Sequence, residues 1–163
     1  MNKFKFLILI IGLALIQLVF LEYFKFFGVT ADLLLIGVVI ASLTFRFRSA
    51  MIMAIFAGLI KDAFAAGSFG MNTLLFPLWT FLILRLSREI AIDSNIIRLC
   101  LISLIALLEN IIRGLVLIYL GKSIPLGIFL RIIFIGSIYT AIVFPLIYRI
   151  SRRWLGLKYS SIH

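Results

Sequence analysis

Long apolar blocks separated by short polar clusters set the pattern of this chain. A helix needs roughly 17–25 predominantly apolar residues to cross a hydrocarbon core of ~30 Å. Six blocks reach or approach that length: Phe4–Phe24, Ala31–Phe45, Ser49–Ala66, Met71–Leu86, Asn95–Leu120 and Pro125–Tyr148. The second and fourth are short, and reading residues 31–66 as one bent element reduces the count to five. Arg46 and Arg48 interrupt that stretch, which favours six. The pattern predicts an all-α integral membrane protein, a single polytopic domain over residues 1–163 with six transmembrane helices in one bundle.

Composition points the same way. Hydrophobic residues occupy 64% of the 163 positions and charged residues 13%, against about 45–50% and 25% in soluble domains. A soluble core of this size has no room for that much apolar surface, so the predicted solvent is a bilayer. The formal charge of +10 raises the question of nucleic acid, and its distribution answers it. Lys3, Lys5, Arg46, Arg48, Arg85, Arg88, Arg149, Arg152, Arg153 and Lys158 fall at the termini or in the even-numbered loops. The odd-numbered loops hold only Lys25 and Lys122. That asymmetry is the positive-inside pattern and places both termini in the cytoplasm. Arg98, one turn into the fifth block, snorkels to the same side. A nucleic-acid patch needs a folded polar surface, and no extramembrane stretch is long enough to build one, so no nucleic-acid partner is expected.

The N-terminus has the basic start of a signal peptide, but its apolar run is too long and no small-x-small cleavage site follows, so it reads as an uncleaved first span. One cysteine, Cys100, allows no internal disulfide, and the only histidine is His163. Neither supplies metal-ligand spacing, and no cofactor or metal is expected.

Charges inside the apolar blocks are the candidate chemistry, because an ionisable side chain at mid-membrane costs about 2.5–3.5 kcal/mol on insertion scales. At 1.5 Å rise per residue, Asp62 and Glu109 each lie ~20 Å above the inner ends of their helices. Arg131, on a helix running the other way, reaches the same depth, ~9 Å below Pro125. Arg113 follows Glu109 by one turn, the order that favours an i,i+4 pair. Asn110 and Asp32 stand ready to join. Three cations (Lys61, Arg113, Arg131) match three anions (Asp32, Asp62, Glu109), as buried ions that must pair require. Adjacent helical residues point ~100° apart, so Lys61 is expected to snorkel outward and leave Asp62 to meet Arg131 or Arg113. Such a layer suits a structural clamp or a polar pocket for a ligand or partner. A proton path would need titratable groups in the inner half, which looks dry.

Small residues recur at Ala50, Ala54 and Gly58 ahead of Asp62, a stripe that permits close backbone approach. Gly67 and Gly70 bound a very short outer loop and suit a turn that needs positive φ. Pro77 and Pro145 fall inside helices and are expected to kink them.

DLLLIGVV opens the second block, the arginine turn FRFRS follows, and GLIKDAFAAGSFGMNTL runs through the third block into the fourth. In this order the three motifs resemble the rod-shape-determining MreD family. Asp32 and Leu33 match the family's Pro-Asp-Leu opening, with Ala31 where proline is common. Gly58 and Asp62 match its G-x-x-x-D element, Ser68 and Gly70 its turn, and Asn72 a polar position often filled by His or Asn. The resemblance implies a non-enzymatic scaffold of the bacterial cell-wall elongation complex in the cytoplasmic membrane. Its implied partners are the single-span protein MreC and, through it, MreB and the wall synthases, with membrane lipids around it. The candidate structural or partner-binding residues are then Asp32, Gly58, Lys61, Asp62, Gly67, Gly70, Asn72, Glu109, Asn110, Arg113 and Arg131.

The resemblance also implies a fold similar to the substrate-binding S components of energy-coupling-factor vitamin transporters, which makes such a subunit the rival function. S components tend to present Ala-x-x-x-Ala on the first helix, whereas the first block here offers only Gly12 and Ala14. An intramembrane enzyme fits poorly. Asp62 and Glu109 could form a carboxylate dyad in principle, since two close carboxylates split their pKa values, but the neighbouring arginines favour structural pairing instead.

Overall fold

The computed structural model describes residues 3–19, 29–64, 70–89, 94–121 and 125–155. Their regular structure is helical, in six elements: α1 (Lys3–Val19), α2 (Leu33–Thr44), α3 (Phe47–Phe64), α4 (Met71–Glu89), α5 (Asn95–Tyr119) and α6 (Leu126–Leu155). Each apolar block therefore yields one helix. The ends differ where polar sequence is itself a good helix former. Beyond its block, α4 continues to Glu89 and α6 to Leu155, through Arg149, Arg152 and Arg153. Arginine has high helix propensity, and cations in a last turn complement the helix dipole. The predicted stretches 20–24 and 65–66 lie outside the described residues.

The shortest helix, α2, occupies the middle. Its sequence LLLIGVVIASLT is apolar on every side, and every residue from Leu33 to Ser42 is buried. A helix that is hydrophobic all round belongs inside a packing arrangement. All five other helices touch it, with α3 and α4 packed closely as one neighbouring pair and α5 and α6 as another. Among the described residues α4 and α5 do not pack along each other. Outward faces are strongly apolar, including Leu15, Ile52, Leu74, Leu115 and Ile142. Two helices, α5 and α6, are long and apolar enough to cross a membrane, and three shorter ones are apolar without reaching that length.

The small-residue stripe of α3 seats α4. Ala50, Ala54 and Ala57 are fully buried, and a Cβ added to Gly58 would stand 2.6 Å from Thr73 Cα and 2.7 Å from the Asn72 carbonyl oxygen. Only glycine allows the start of α4 to lie that close. Gly70, the residue before α4, has φ +93°, the left-handed conformation its turn requires. Gly67 lies outside the described residues.

Candidate functional site: a buried charge cluster on four helices

Helix starts expose amide donors that must be satisfied when they are buried. At the start of α2, three side-chain oxygens meet that need. Asp32 caps the helix by accepting from the Leu35 amide at 3.1 Å, Gln17 Oε1 of α1 accepts from the Leu34 amide at 3.0 Å, and the Asp32 amide donates to Thr140 Oγ1 of α6 at 3.1 Å. Asp32 is thereby fixed with its second oxygen facing the interior.

Lys61 occupies that interior. Its side chain is only 9% exposed, and Nζ donates to Asp32 Oδ2 and, at 2.8 Å, to Glu109 Oε1. Its ammonium also lies 4.7 Å from the centre of the Phe76 ring on α4, within cation–π range. The expected outward snorkelling of Lys61 is therefore overturned. Two carboxylates point into the protein at its position, and an ammonium between two anions is better placed there than at a distant interface.

Arg113 completes a four-membered cluster. Its guanidinium donates to Glu109 Oε1 at 2.7 Å, the expected i,i+4 pair, stands 3.6 Å from Asp32 Oδ2, and donates to Asn72 Oδ1 at 3.0 Å. Glu109 is 1% exposed and Arg113 30%, so the cluster has one dry side and one open edge at the arginine. Lys61 and Arg113 thus balance Asp32 and Glu109.

Asp62 is paired with neither arginine. It accepts from the backbone amides of Asn72 at 3.0 Å and Thr73 at 2.8 Å. It also accepts from Asn72 Nδ2 at 2.7 Å and Thr73 Oγ1 at 2.6 Å. The carboxylate caps α4 from a different helix and meets the positive end of the α4 dipole. Four donors on an anion are a stronger arrangement than one ion pair, which corrects the predicted partner. Asn72 connects the two parts, giving to Asp62 and accepting from Arg113.

Two candidates fall outside the cluster. Arg131 is exposed, and among the described residues it forms no ion pair with the cluster's carboxylates. Asp32 meets α6 at Thr140 and Asn110 meets it at Ser137, so Arg131 lies about 9–14 Å nearer the start of that helix. The inward face of α6 carries Ile133, Gly136, Ser137 and Thr140. Asn110 Nδ2 donates to Ser137 Oγ at 3.3 Å and so joins α5 to α6 rather than to the charges. Sequence reasoning missed Gln17, Thr73 and Thr140. For Gln17 and Thr140 the available signal was the need of the α2 start for acceptors, whereas Thr73, third in α4, donates both its amide and its hydroxyl to Asp62.

Near the other end of α5, Arg98 donates to the Tyr148 hydroxyl at 3.0 Å and lies against its ring. It too is buried rather than extended outward.

A family model described as rod shape-determining protein MreD matches residues 1–153. No curated protein and no solved structure matches the chain significantly.

Proposed function

Because the chain belongs to the MreD family of rod shape-determining membrane proteins, we propose that it is a non-enzymatic scaffold of the cell-wall elongation complex. In this reading it sits in the bacterial cytoplasmic membrane as a six-helix bundle with both termini in the cytoplasm. It binds the single-span protein MreC and through it links MreB filaments to the wall synthases. The basic ends of α2, α4 and α6 orient it and attract anionic lipid, at about 1 kcal/mol per residue near the surface.

The observation that carries this reading is the internal closure of the charge cluster. Each charge is matched by another residue of the same chain: Lys61 by two carboxylates, Arg113 by the same two, and Asp62 by the start of α4. Buried ions held this way cost much to separate, so they weld four helices into a platform. A transporter subunit would instead turn such groups toward cargo.

Depletion and co-purification test the proposal together. Depleting the protein in a rod-shaped host is expected to round the cells without vitamin auxotrophy, and the purified protein is expected to bring down MreC. A stoichiometric small molecule in the purified protein, with uptake that depends on an ATPase module, would instead identify a transport subunit.

A further inference from the structure

The structure assigns the seam between α4 and α5 as the docking site for the transmembrane helix of the single-span partner, an inference that rests on the scaffold reading above. The occupant is an apolar helix with one side chain that both donates and accepts a hydrogen bond, a hydroxyl or a carboxamide.

Three observations lead there. First, α4 and α5 do not pack along each other among the described residues, although both lie against α2. What joins them is the long reach of Arg113 to Asn72. Second, each wall of the seam holds a buried polar atom with no hydrogen-bond partner: the indole Nε1 of Trp79 on α4 and Oε2 of Glu109 on α5. One is a donor and the other an acceptor. Native interiors leave few such groups unpaired. Third, the lips of the seam are exposed and apolar, with Leu78 and Leu82 on α4 and Leu104 and Leu108 on α5.

Helical geometry brings these residues into register. Trp79 lies seven residues beyond Asn72, two turns along the face from which Asn72 meets Arg113. Measured from the Asn72–Arg113 bond, Trp79 lies about 10 Å and Glu109 about 6 Å toward the inner side. By the same rise, Leu78 and Leu108 lie about 9 and 8 Å along, and Leu82 and Leu104 about 15 and 14 Å. Donor and acceptor thus differ by only about 5 Å in depth and lie on either side of the Leu78–Leu108 level. On α5 the leucines occupy the flank away from α6, whose side is marked by the Asn110–Ser137 bond. Both atoms are enclosed in the free protein, so docking parts the side chains over them. A carboxamide or hydroxyl of the occupant then accepts from Trp79 and donates to Glu109, while the leucines grip the apolar helix on either side. Polar side chains of this kind join helices in membranes.

Site-specific photocrosslinking in living cells tests the assignment. A benzoylphenylalanine replaces Leu78, Leu82, Leu104 or Leu108 in the full chain, with Leu15 on α1 and Ile142 on α6 as exposed controls. Adducts with MreC from the four seam positions and not from the controls are expected. MreC adducts mainly from α1 or α6 overturn the seam and leave the scaffold standing, whereas no MreC adduct from any face overturns both. Trp79→Phe is the second arm. It removes the donor, and association with MreC is expected to weaken about tenfold while unfolding stays cooperative. Unchanged association in a folded Trp79→Phe protein overturns the role of the indole and with it the polar part of the assignment.

Discussion

Lys61 stands between two carboxylates from two other helices, so its removal leaves Asp32 and Glu109 facing each other with one cation between them. Breaking a buried ion pair from one side costs about 3–5 kcal/mol. Lys61→Met is therefore expected to lower the stability of the detergent-purified protein by that amount, read as a fall in its unfolding midpoint. Arg131→Gln, a charge removal at the same predicted depth on an exposed site, is expected to leave the midpoint unchanged. Equal losses from the two variants would contradict the geometry. Asp62 separates two effects. Asp62→Asn keeps one acceptor oxygen but swaps the other for a donor that faces donors, while Asp62→Ala leaves the amides of Asn72 and Thr73 without any acceptor. Both are expected to destabilise by at least about 1–3 kcal/mol, and neither effect should be rescued by altering Arg131. A midpoint for Asp62→Ala that recovers with Arg131→Gln would restore the ion pair that the sequence alone suggested.

Among the elements, the α3–α4 pair depends most on one atom that is missing. A Cβ at residue 58 meets backbone of α4 at 2.6–2.8 Å, and backbone cannot step aside as a side-chain tip can. Gly58→Ala is thus expected to push the start of α4 away from Asp62 and cost about 1–3 kcal/mol for overpacking, plus part of the lost cap. Gly37→Ala, where the nearest atom is the tip of Leu13 at 3.3 Å, is the milder control. Comparing the unfolding midpoints of the two variants checks the ranking. Why some of this could be read from sequence and some not is a matter of angle against depth. The apolar blocks gave each helix, and the rise per residue placed Asp62, Glu109 and Arg131 at one level with Arg113 a turn above. Rotation about each helix axis is set by packing partners that block lengths do not describe. Arg131 shows it: Ile133, Gly136, Ser137 and Thr140 recur at one-turn spacing among themselves and define an inward stripe, with Arg131 on the opposite side. That stripe of small and hydroxyl residues was present in the sequence and, weighed against depth, excludes Arg131. Asp62 shows the harder case, since its true partner is a pair of backbone amides, which every sequence contains and none marks. Only the demand of α4 for an acceptor, beside the glycine one turn earlier on α3, pointed to it.

At the scale of the whole molecule, orientation decides what the cluster can meet. The cluster lies where the first turn of α2, the last turn of α3, the first turn of α4 and the later half of α5 come together. The basic residues Arg46, Arg85, Arg149 and Arg153 belong to the opposite ends of α2, α4 and α6. Positive residues are retained on the cytoplasmic side, so the cluster and its open edge at Arg113 should face outward, toward the wall. Thiol labelling gives a direct reading, because two exposed positions mark the two ends. Tyr119 closes α5 at 91% exposure on the side of the cluster, and Trp154 is 52% exposed near the basic end of α6. In a Cys100→Ser background, Tyr119→Cys should react with a membrane-impermeant maleimide in intact cells, or in spheroplasts where an outer membrane intervenes. Trp154→Cys should react only after permeabilisation. Cys100 itself, exposed in the second turn of α5, should follow Trp154→Cys. The reverse pattern would put the basic ends outside and turn the charge cluster toward the cytoplasm. Its partner would then have to reach it from the filament side rather than from the wall, and the direction of recruitment would invert with it.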